Sequence, residues 1–97
     1  MVETVLTVKN ELGLHARAAA RMVHVTSRFQ SRITFFRKDR AEAIDGKSIL
    51  GILMMAAARG TCLGVTVDGP DEKSALAAIV HMFENQFEEK SESNEDV

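Results

Sequence analysis

The sequence has little of what disulfides, thiolate metal sites and base-stacking surfaces require. Its 97 residues include one cysteine, Cys62, one proline, and neither tryptophan nor tyrosine. A single cysteine excludes an internal disulfide and a Cys-x-x-Cys metal motif. Because Cys62 lies in an alternating apolar segment, we expect it to be a packed residue rather than a nucleophile. A net charge of −2 and the scarcity of aromatic side chains argue against nucleic-acid binding.

Long apolar runs are also missing. No run of eighteen apolar residues is present, so we expect no membrane insertion. The stretch "MVETVLTVKN" lacks the basic and apolar regions of a secretory signal, and a cytoplasmic location is therefore the expectation. With 45% hydrophobic residues, the chain can form the core of one domain, which we predict to span residues 1–87. Residues 88–97, "EEKSESNEDV", are acidic, and we expect them to form a disordered tail.

The hydrophobic pattern changes period several times along the chain. Period-two alternation predicts four strands, and apolar spacings of three and four residues predict three helices. The strands are predicted in "VETVLTVK", "RITFFRK", "DRAEAI" and "TCLGVTVDG". The helices are predicted from Ala16 to about Phe29, from Ser48 to a stop at Gly60, and across "PDEKSALAAIVHMFENQFEE". The order β-α-β-β-α-β-α predicts an α+β fold in which three helices cover one face of a four-stranded antiparallel sheet.

The stretch "GLHARAA" places His15 at the start of the first predicted helix. The first amides of a helix lack partners and carry partial positive charge, so they favour an anion. A phosphoryl group on the imidazole would meet the backbone N–H groups of Ala16 and Arg17, and the Arg17 guanidinium would add a charge-assisted contact. Imidazole titrates close to neutrality, so an unprotonated nucleophilic nitrogen is available. Gly13 allows the sharp turn that presents the ring.

A simpler interpretation of the same residues stays open at this point. His15 could merely cap the helix, with Arg17 as a solvated surface charge. His24 and His81 lie within helices and are expected to have ordinary surface roles. The three histidines lack the spacing of metal ligands, so neither a metal nor a cofactor is predicted.

The second predicted helix is too apolar for its length. Ile49, Leu50, Leu53 and Met54 cannot all face one sheet, and an exposed apolar cluster marks a docking surface, although a purely structural core role is the alternative. Ala20 and Arg21 on the first helix complete the predicted docking surface. Ser48 is a natural N-cap, and a phosphate on it would set about two negative charges beside this surface.

Together these motifs resemble one known family. "GLHARAA", "KSILGILMMAAARG", and "LGVTV" followed by "GPDE" are similar to the HPr family, the histidine-containing phosphocarrier proteins of the bacterial phosphoenolpyruvate-dependent sugar phosphotransferase system. The resemblance covers residues 2 to about 87. It differs from many members at Ala18, where they have proline, a residue that pre-sets a helix start but donates no hydrogen bond.

The resemblance implies an open-faced β-sandwich and a stoichiometric carrier rather than an enzyme, with a monomer as the expectation. It implies that His15 accepts a phosphoryl group at Nδ1 from enzyme I and passes it to sugar-specific enzyme II components, including enzyme IIA, with assistance from Arg17. Ser48 falls on the serine that HPr kinase/phosphorylase modifies.

Other functions are weighed beside the carrier. The first is a regulatory phosphoprotein controlled at Ser48, or a member of a nitrogen-related phosphotransfer branch. A plain interaction domain with an inert His15 is a further alternative. A self-contained metal or Cys/His enzyme is disfavoured, because the sequence offers no second catalytic group for His15.

Overall fold

Seven elements follow one another in the predicted order in a computed structural model that describes residues 1–88. They are β1 (Val2–Thr7), α1 (Ala16–Thr26), β2 (Arg32–Arg37), β3 (Ala43–Asp45), α2 (Ile49–Met54), β4 (Cys62–Asp68) and α3 (Glu72–Glu84). The predicted acidic tail, apart from Glu88, lies outside the described residues. Across residues 1–88, no helix combines the length and the apolar character that crossing a membrane requires.

The four strands form one antiparallel sheet in the order β1-β4-β2-β3. The alternation along β4 buries Leu63, Val65 and Val67 completely, and on β1 it buries Leu6 while Val5 is exposed. The helices cover the face that carries the buried side chains, and the opposite face is open. The predicted α+β open-faced sandwich is therefore confirmed.

An aromatic cluster joins the sheet to the end of α3. The Phe83 ring of α3 lies 6.3 Å from the Phe35 ring of β2 and 4.9 Å from the Phe87 ring, centroid to centroid. All three side chains are buried. Burial of one such side chain stabilises a fold by about 1.5–3 kcal/mol, so this cluster fixes α3 and residue 87 against the sheet.

The helices end earlier than the periodicity predicts. Helix α2 ends at Met54 rather than at Gly60, and Ala56 has a left-handed φ of 51°. The Arg37 guanidinium of β2 donates to the carbonyl oxygens of Met55 and Ala56 over 3.1 and 3.3 Å. This cation satisfies carbonyls at the end of the helix, where it also interacts favourably with the helix dipole.

Helix α1 ends at Thr26 instead of Phe29, since the amides of Arg28 and Phe29 donate to carbonyl oxygens three residues back rather than four. The buried Thr26 hydroxyl donates to the Gly46 carbonyl oxygen over 2.8 Å. Helix α3 ends at Glu84, and Gln86 and Phe87 both adopt positive φ. The chain therefore turns after α3, and the turn brings residues 86–88 toward α1.

The prediction that Cys62 is packed is wrong. Cys62 is the first residue of β4 and is exposed. Because Leu63 and Val65 point into the core, the period of the strand places Cys62 on the open face, opposite Thr7. Its Sγ lies 3.9 Å from the Thr7 hydroxyl oxygen.

Candidate functional site

His15 is the N-cap residue of α1. Its backbone is extended, with φ −78° and ψ −177°, and its carbonyl oxygen accepts from the Ala19 N–H over 2.8 Å. Its Nδ1 atom accepts from the Arg17 N–H over 3.3 Å. An acceptor at Nδ1 requires a lone pair there, so in this geometry the ring proton of the neutral imidazole is on Nε2. The imidazole is half-buried.

Two of the backbone N–H groups beside the ring lack an acceptor among the described residues. Within residues 1–88, the N–H groups of Ala16 and Ala18 donate to no protein acceptor. Unpartnered amides at a helix start bind anions, and the helix dipole adds to the attraction. Ala18 therefore keeps a donor that proline at this position would lack. The start of α1 can supply three amides to a single anion.

The turn before His15 is fixed at three points. The Gly13 N–H donates to the Asn10 carbonyl oxygen over 3.1 Å, and Asn10 Nδ2 donates back to the Gly13 carbonyl oxygen over 2.6 Å. The Leu14 N–H donates to the Ala57 carbonyl oxygen over 2.9 Å. Gly13 has φ +68°, and a Cβ atom there would lie 2.6 Å from that same carbonyl oxygen. Glycine is therefore required where the chain turns to present the imidazole.

An open cavity of about 270 Å³ adjoins the ring. The predicted site residues His15 and Arg17 both line it, and within residues 1–88 the Arg17 guanidinium makes no hydrogen bond or ion pair. The cavity is also lined by residues that the sequence interpretation missed: Asn10, Glu11, Leu12, Gln86, Phe87 and Glu88. Asn10 could have been found from its turn-forming chemistry, but residues 86–88 reach the cavity through the turn after α3.

Arg21 has a structural role at the wall of this cavity. Its side chain is half-buried, and Nη1 donates to the Phe87 carbonyl oxygen. The guanidinium thus joins α1 to the turn after α3. Ala20, the other α1 residue of the predicted docking surface, is exposed.

His24 and His81 lie outside this cavity and line a separate groove between α1 and α3. Among the described residues, no three His, Cys, Asp or Glu side chains are grouped so that they could hold a metal ion. The carboxyl groups of Asp39, Asp71 and Glu72, whose pKa values hydrogen bonds lower, also lie away from the imidazole.

Helix α2 presents an apolar surface to solvent. Leu50 and Met54 are 64% and 69% exposed, and Ile49 and Leu53 are exposed as well, whereas Ile52 is buried in the core. We call these four exposed side chains the α2 patch. The Leu14 N–H donates to the Ala57 carbonyl oxygen. The segment that follows the α2 patch is therefore held against the turn that carries His15.

Ser48 is the N-cap of α2. Its backbone is extended, and its Oγ accepts from the Gly51 N–H over 3.0 Å. The neighbouring Lys47 ammonium donates to the Phe29 carbonyl oxygen over 2.7 Å. The half-buried Ser48 hydroxyl thus lies immediately before Ile49 and Leu50 of the α2 patch.

Comparison with known proteins gives one consistent result. Residues 2–85 match the family model described as PTS HPr component phosphorylation site. The chain is 47% identical over 89 residues to the phosphocarrier protein HPr of Xylella fastidiosa (strain Temecula1), covering 92% of this chain and 98% of that one. It is 44% identical over 90 residues to the phosphocarrier protein HPr of Treponema pallidum, covering 93% and 100%.

A solved structure agrees. The crystal structure of HPr-C-His from Thermoanaerobacter tengcongensis superposes with a TM-score of 0.85 at 34% identity, covering 94% of this chain and 100% of that one. Sequence and fold are thus both similar to those of HPr proteins over nearly the full described length. The chain belongs to the HPr family of phosphocarrier proteins.

Proposed function

We propose that His15 carries a phosphoryl group on Nδ1, received from enzyme I with phosphoenolpyruvate as the original donor, and passes it to enzyme II components such as enzyme IIA. The observation that carries this proposal is the contact between His15 Nδ1 and the Arg17 N–H at the start of α1. It aims one particular ring nitrogen at backbone donors that suit an anion.

The transfer uses the lone pair that now accepts from Arg17. An N–P bond forms at Nδ1 while the donor's bond to phosphorus breaks, and no proton has to leave Nδ1 because the ring proton is on Nε2. At 3.3 Å this hydrogen bond is longer than usual and therefore weak, so it is easily exchanged. The Arg17 N–H then donates to a phosphoryl oxygen instead of the ring.

The charge of the phosphoryl group meets three kinds of stabilisation. The amides of Ala16 and Ala18 donate to its oxygens, and the dipole of α1 favours its negative charge. The Arg17 guanidinium, which pairs with no group among residues 1–88, can approach it from the cavity. These interactions hold the group without a metal. The group stays accessible because the cavity is open to the next acceptor.

A carrier must meet its donor and its acceptor through one surface. We assign that surface to the α2 patch together with Ala20 and Arg21, beside the phosphorylated ring. Interfaces that exchange partners are modest in area and transient. The protein acts in this scheme as a cytoplasmic monomer that is phosphorylated and dephosphorylated stoichiometrically, with no catalytic turnover of its own.

Incubation with phosphoenolpyruvate and enzyme I tests the proposal. We expect one acid-labile phosphate per chain on the wild type and none on His15→Ala. His24→Ala and His81→Ala are matched controls, because both histidines are exposed but lie inside helices. Absence of label on the wild type, or equal labelling of His15→Ala, contradicts the assignment.

A second function is favoured by the position of Ser48. A phosphate on its hydroxyl would lie at the first amides of α2 and beside the α2 patch, where it would change partner choice. This is the regulatory alternative, with HPr kinase/phosphorylase as the modifying partner, and a nitrogen-related branch would use the same surface. Incubation with ATP and that kinase should give an acid-stable label that Ser48→Ala abolishes. An acid-stable label that persists in Ser48→Ala would contradict it.

A further inference from the structure

A second groove, of about 430 Å³, runs between α1 and α3 beside the His15 cavity. Helix α1 contributes Arg21 and His24, which are three residues apart and so lie on one side of the helix, and Arg28 follows in the turn after α1. Helix α3 contributes His81. The groove is therefore lined by two guanidinium groups and two imidazoles.

This lining has little counter-charge within residues 1–88, and Arg21 alone of its cations is already engaged there, with the Phe87 carbonyl oxygen. The one carboxylate that lines the groove is Glu88. The side chains of His24 and Arg28 make no hydrogen bond or ion pair there, and the His81 ring has only the neutral Asn85 amide at 3.4 Å. The His15 cavity differs, because two carboxylates, Glu11 and Glu88, accompany its cations. Of the two cavities, the α1–α3 groove has the larger excess of positive charge.

The acidic segment of the chain starts at this groove. Residues 89–97 carry four carboxylate side chains, Glu89, Glu92, Glu95 and Asp96, against one lysine. They follow Glu88, which lines the groove itself, and the Phe87 carbonyl oxygen is held by Arg21. Nine residues span up to about 30 Å when extended, whereas α1 rises only about 8 Å from Arg21 to its end at Thr26, two residues before Arg28. The acidic segment can therefore reach every cation in the groove.

We propose that residues 89–97 bind in the α1–α3 groove of their own chain, with their carboxylates against His24, Arg28 and His81. Charge complementarity selects this occupant, and the tether favours it over a second copy, because a short linker gives an effective concentration in the millimolar range. The bound segment would reduce the positive charge that α1 presents to partners. The groove shares Arg21, Phe87 and Glu88 with the His15 cavity, whereas the side chains proposed to bind the segment line the groove alone. The inference does not depend on phosphotransfer.

Paramagnetic relaxation in the full chain tests the inference. A nitroxide is attached at Ser93→Cys after the exposed Cys62 has been replaced in Cys62→Ser. We expect the amide signals of His24, Arg28 and His81 to be broadened several-fold more than that of Val5, which lies on the open face of the sheet. Uniform weak broadening, or broadening centred on the turn before His15, overturns the inference.

Separate controls test whether the contact depends on charge and whether it forms within one chain or between two. The broadening should fall to the level of Val5 in a variant with Glu92→Gln, Glu95→Gln and Asp96→Asn, and also in Arg28→Gln. It should also weaken when the ionic strength rises from about 0.1 M to about 1 M, which shortens the Debye length from about 10 Å to about 3 Å. Mixing isotope-labelled chain without nitroxide and unlabelled chain with nitroxide should give no broadening. Broadening in that mixture would assign the groove to a second copy and overturn the intramolecular contact.

Discussion

The Arg17 backbone N–H and the His15 Nδ1 atom face each other over 3.3 Å at the start of α1. This contact holds the imidazole with one chosen nitrogen against the helix amides. It makes the capping interpretation of His15 and the phosphate-site interpretation compatible, because the ring caps the helix through the same atom that would accept phosphorus. The Arg17 N–H, which donates to the ring before phosphorylation, is the amide that donates to a phosphoryl oxygen afterwards.

Removal of the Arg17 side chain should slow phosphorylation while leaving the backbone donor in place. A hydrogen bond to a charged group contributes about 1.5–3 kcal/mol, and about 1.4 kcal/mol corresponds to a tenfold change in rate. We therefore expect Arg17→Ala to lower the rate of labelling by enzyme I roughly ten- to a hundredfold, and Arg17→Lys to lower it less. Rapid-quench labelling measures both. Arg40→Ala, at an exposed arginine in a turn, is the control, and an equal loss there would remove the argument for a specific role.

Gly13→Ala should be more destabilising than Gly60→Ala. Both glycines have positive φ, of 68° and 91°, so an alanine at either is strained by about 1–2 kcal/mol. A Cβ atom at residue 13 also meets the Ala57 carbonyl oxygen at 2.6 Å, whereas nothing lies within 4 Å of one at residue 60. Urea unfolding measures both free energies. Gly13→Ala should also slow phosphorylation, and equal unfolding free energies would contradict the close packing of this turn.

The α2 patch should contribute to partner binding and little to stability. Leu50→Gln and Met54→Gln alter exposed side chains, so we expect changes of at most about 0.5 kcal/mol in the free energy of unfolding. We expect each to weaken binding of enzyme I by about tenfold, because an apolar residue buried at an interface typically contributes about 1 kcal/mol or more. Calorimetric titration measures the affinity. Val5→Thr, on the exposed face of the sheet, is the control; unchanged affinity in both patch variants would exclude this surface.

The stabilisation that the Asp71 carboxylate gives to the fold should be lost in acid. Its carboxylate accepts from the Ser31 hydroxyl at 2.5 Å and from the Gln30 and Ser31 amides at 2.9 and 3.0 Å. The Ser31 hydroxyl first, then these amides, hold the pKa of Asp71 below its ordinary value of 3.8. Because the folded state binds the proton less readily than the unfolded chain, the stabilisation is complete above that value and is lost as the pH falls through the lower, folded pKa.

The Asp71→Asn variant tests this linkage. We expect it to lower the thermal unfolding midpoint at neutral pH and to reduce the loss of stability between neutral pH and about pH 2. Thermal unfolding followed by circular dichroism over that range measures the effect. Glu42→Gln, at an exposed carboxyl, is the control. A pH profile of Asp71→Asn parallel to that of the wild type would contradict the role of the carboxylate.

The periodicity predicted the fold because one face of the sheet is buried and the other is open. Leu63, Val65 and Val67 had to share a face, and the motif around His15 indicated a helix start. Cys62 shows the limit of that argument: its apolar neighbours suggested burial, but its parity along β4 places it on the open face. The alternation through Leu63, Val65 and Val67 already put Cys62 on the other face, so the error lay in judging its burial from apolar neighbours rather than from parity.

Helix ends and the far wall of the site depended on tertiary contacts. Helix α2 stops before Gly60 because Arg37 and the turn before His15 use the backbone of residues 55–57. Phe87 fits the helical spacing of α3, but it lies in a left-handed turn whose carbonyl oxygen is held by Arg21. The spacing of residues along α3 could not reveal that residues 86–88 line the His15 cavity.

Phosphorylation of isotope-labelled protein with phosphoenolpyruvate and enzyme I, followed by nuclear magnetic resonance, tests the central claim most directly. We predict a phosphorus–nitrogen coupling at Nδ1 of His15, together with large shifts of the Ala16, Arg17 and Ala18 amide signals as they begin to donate to phosphoryl oxygens. A phosphoryl group on Nε2, or on another residue, with those amide signals unmoved, would contradict it.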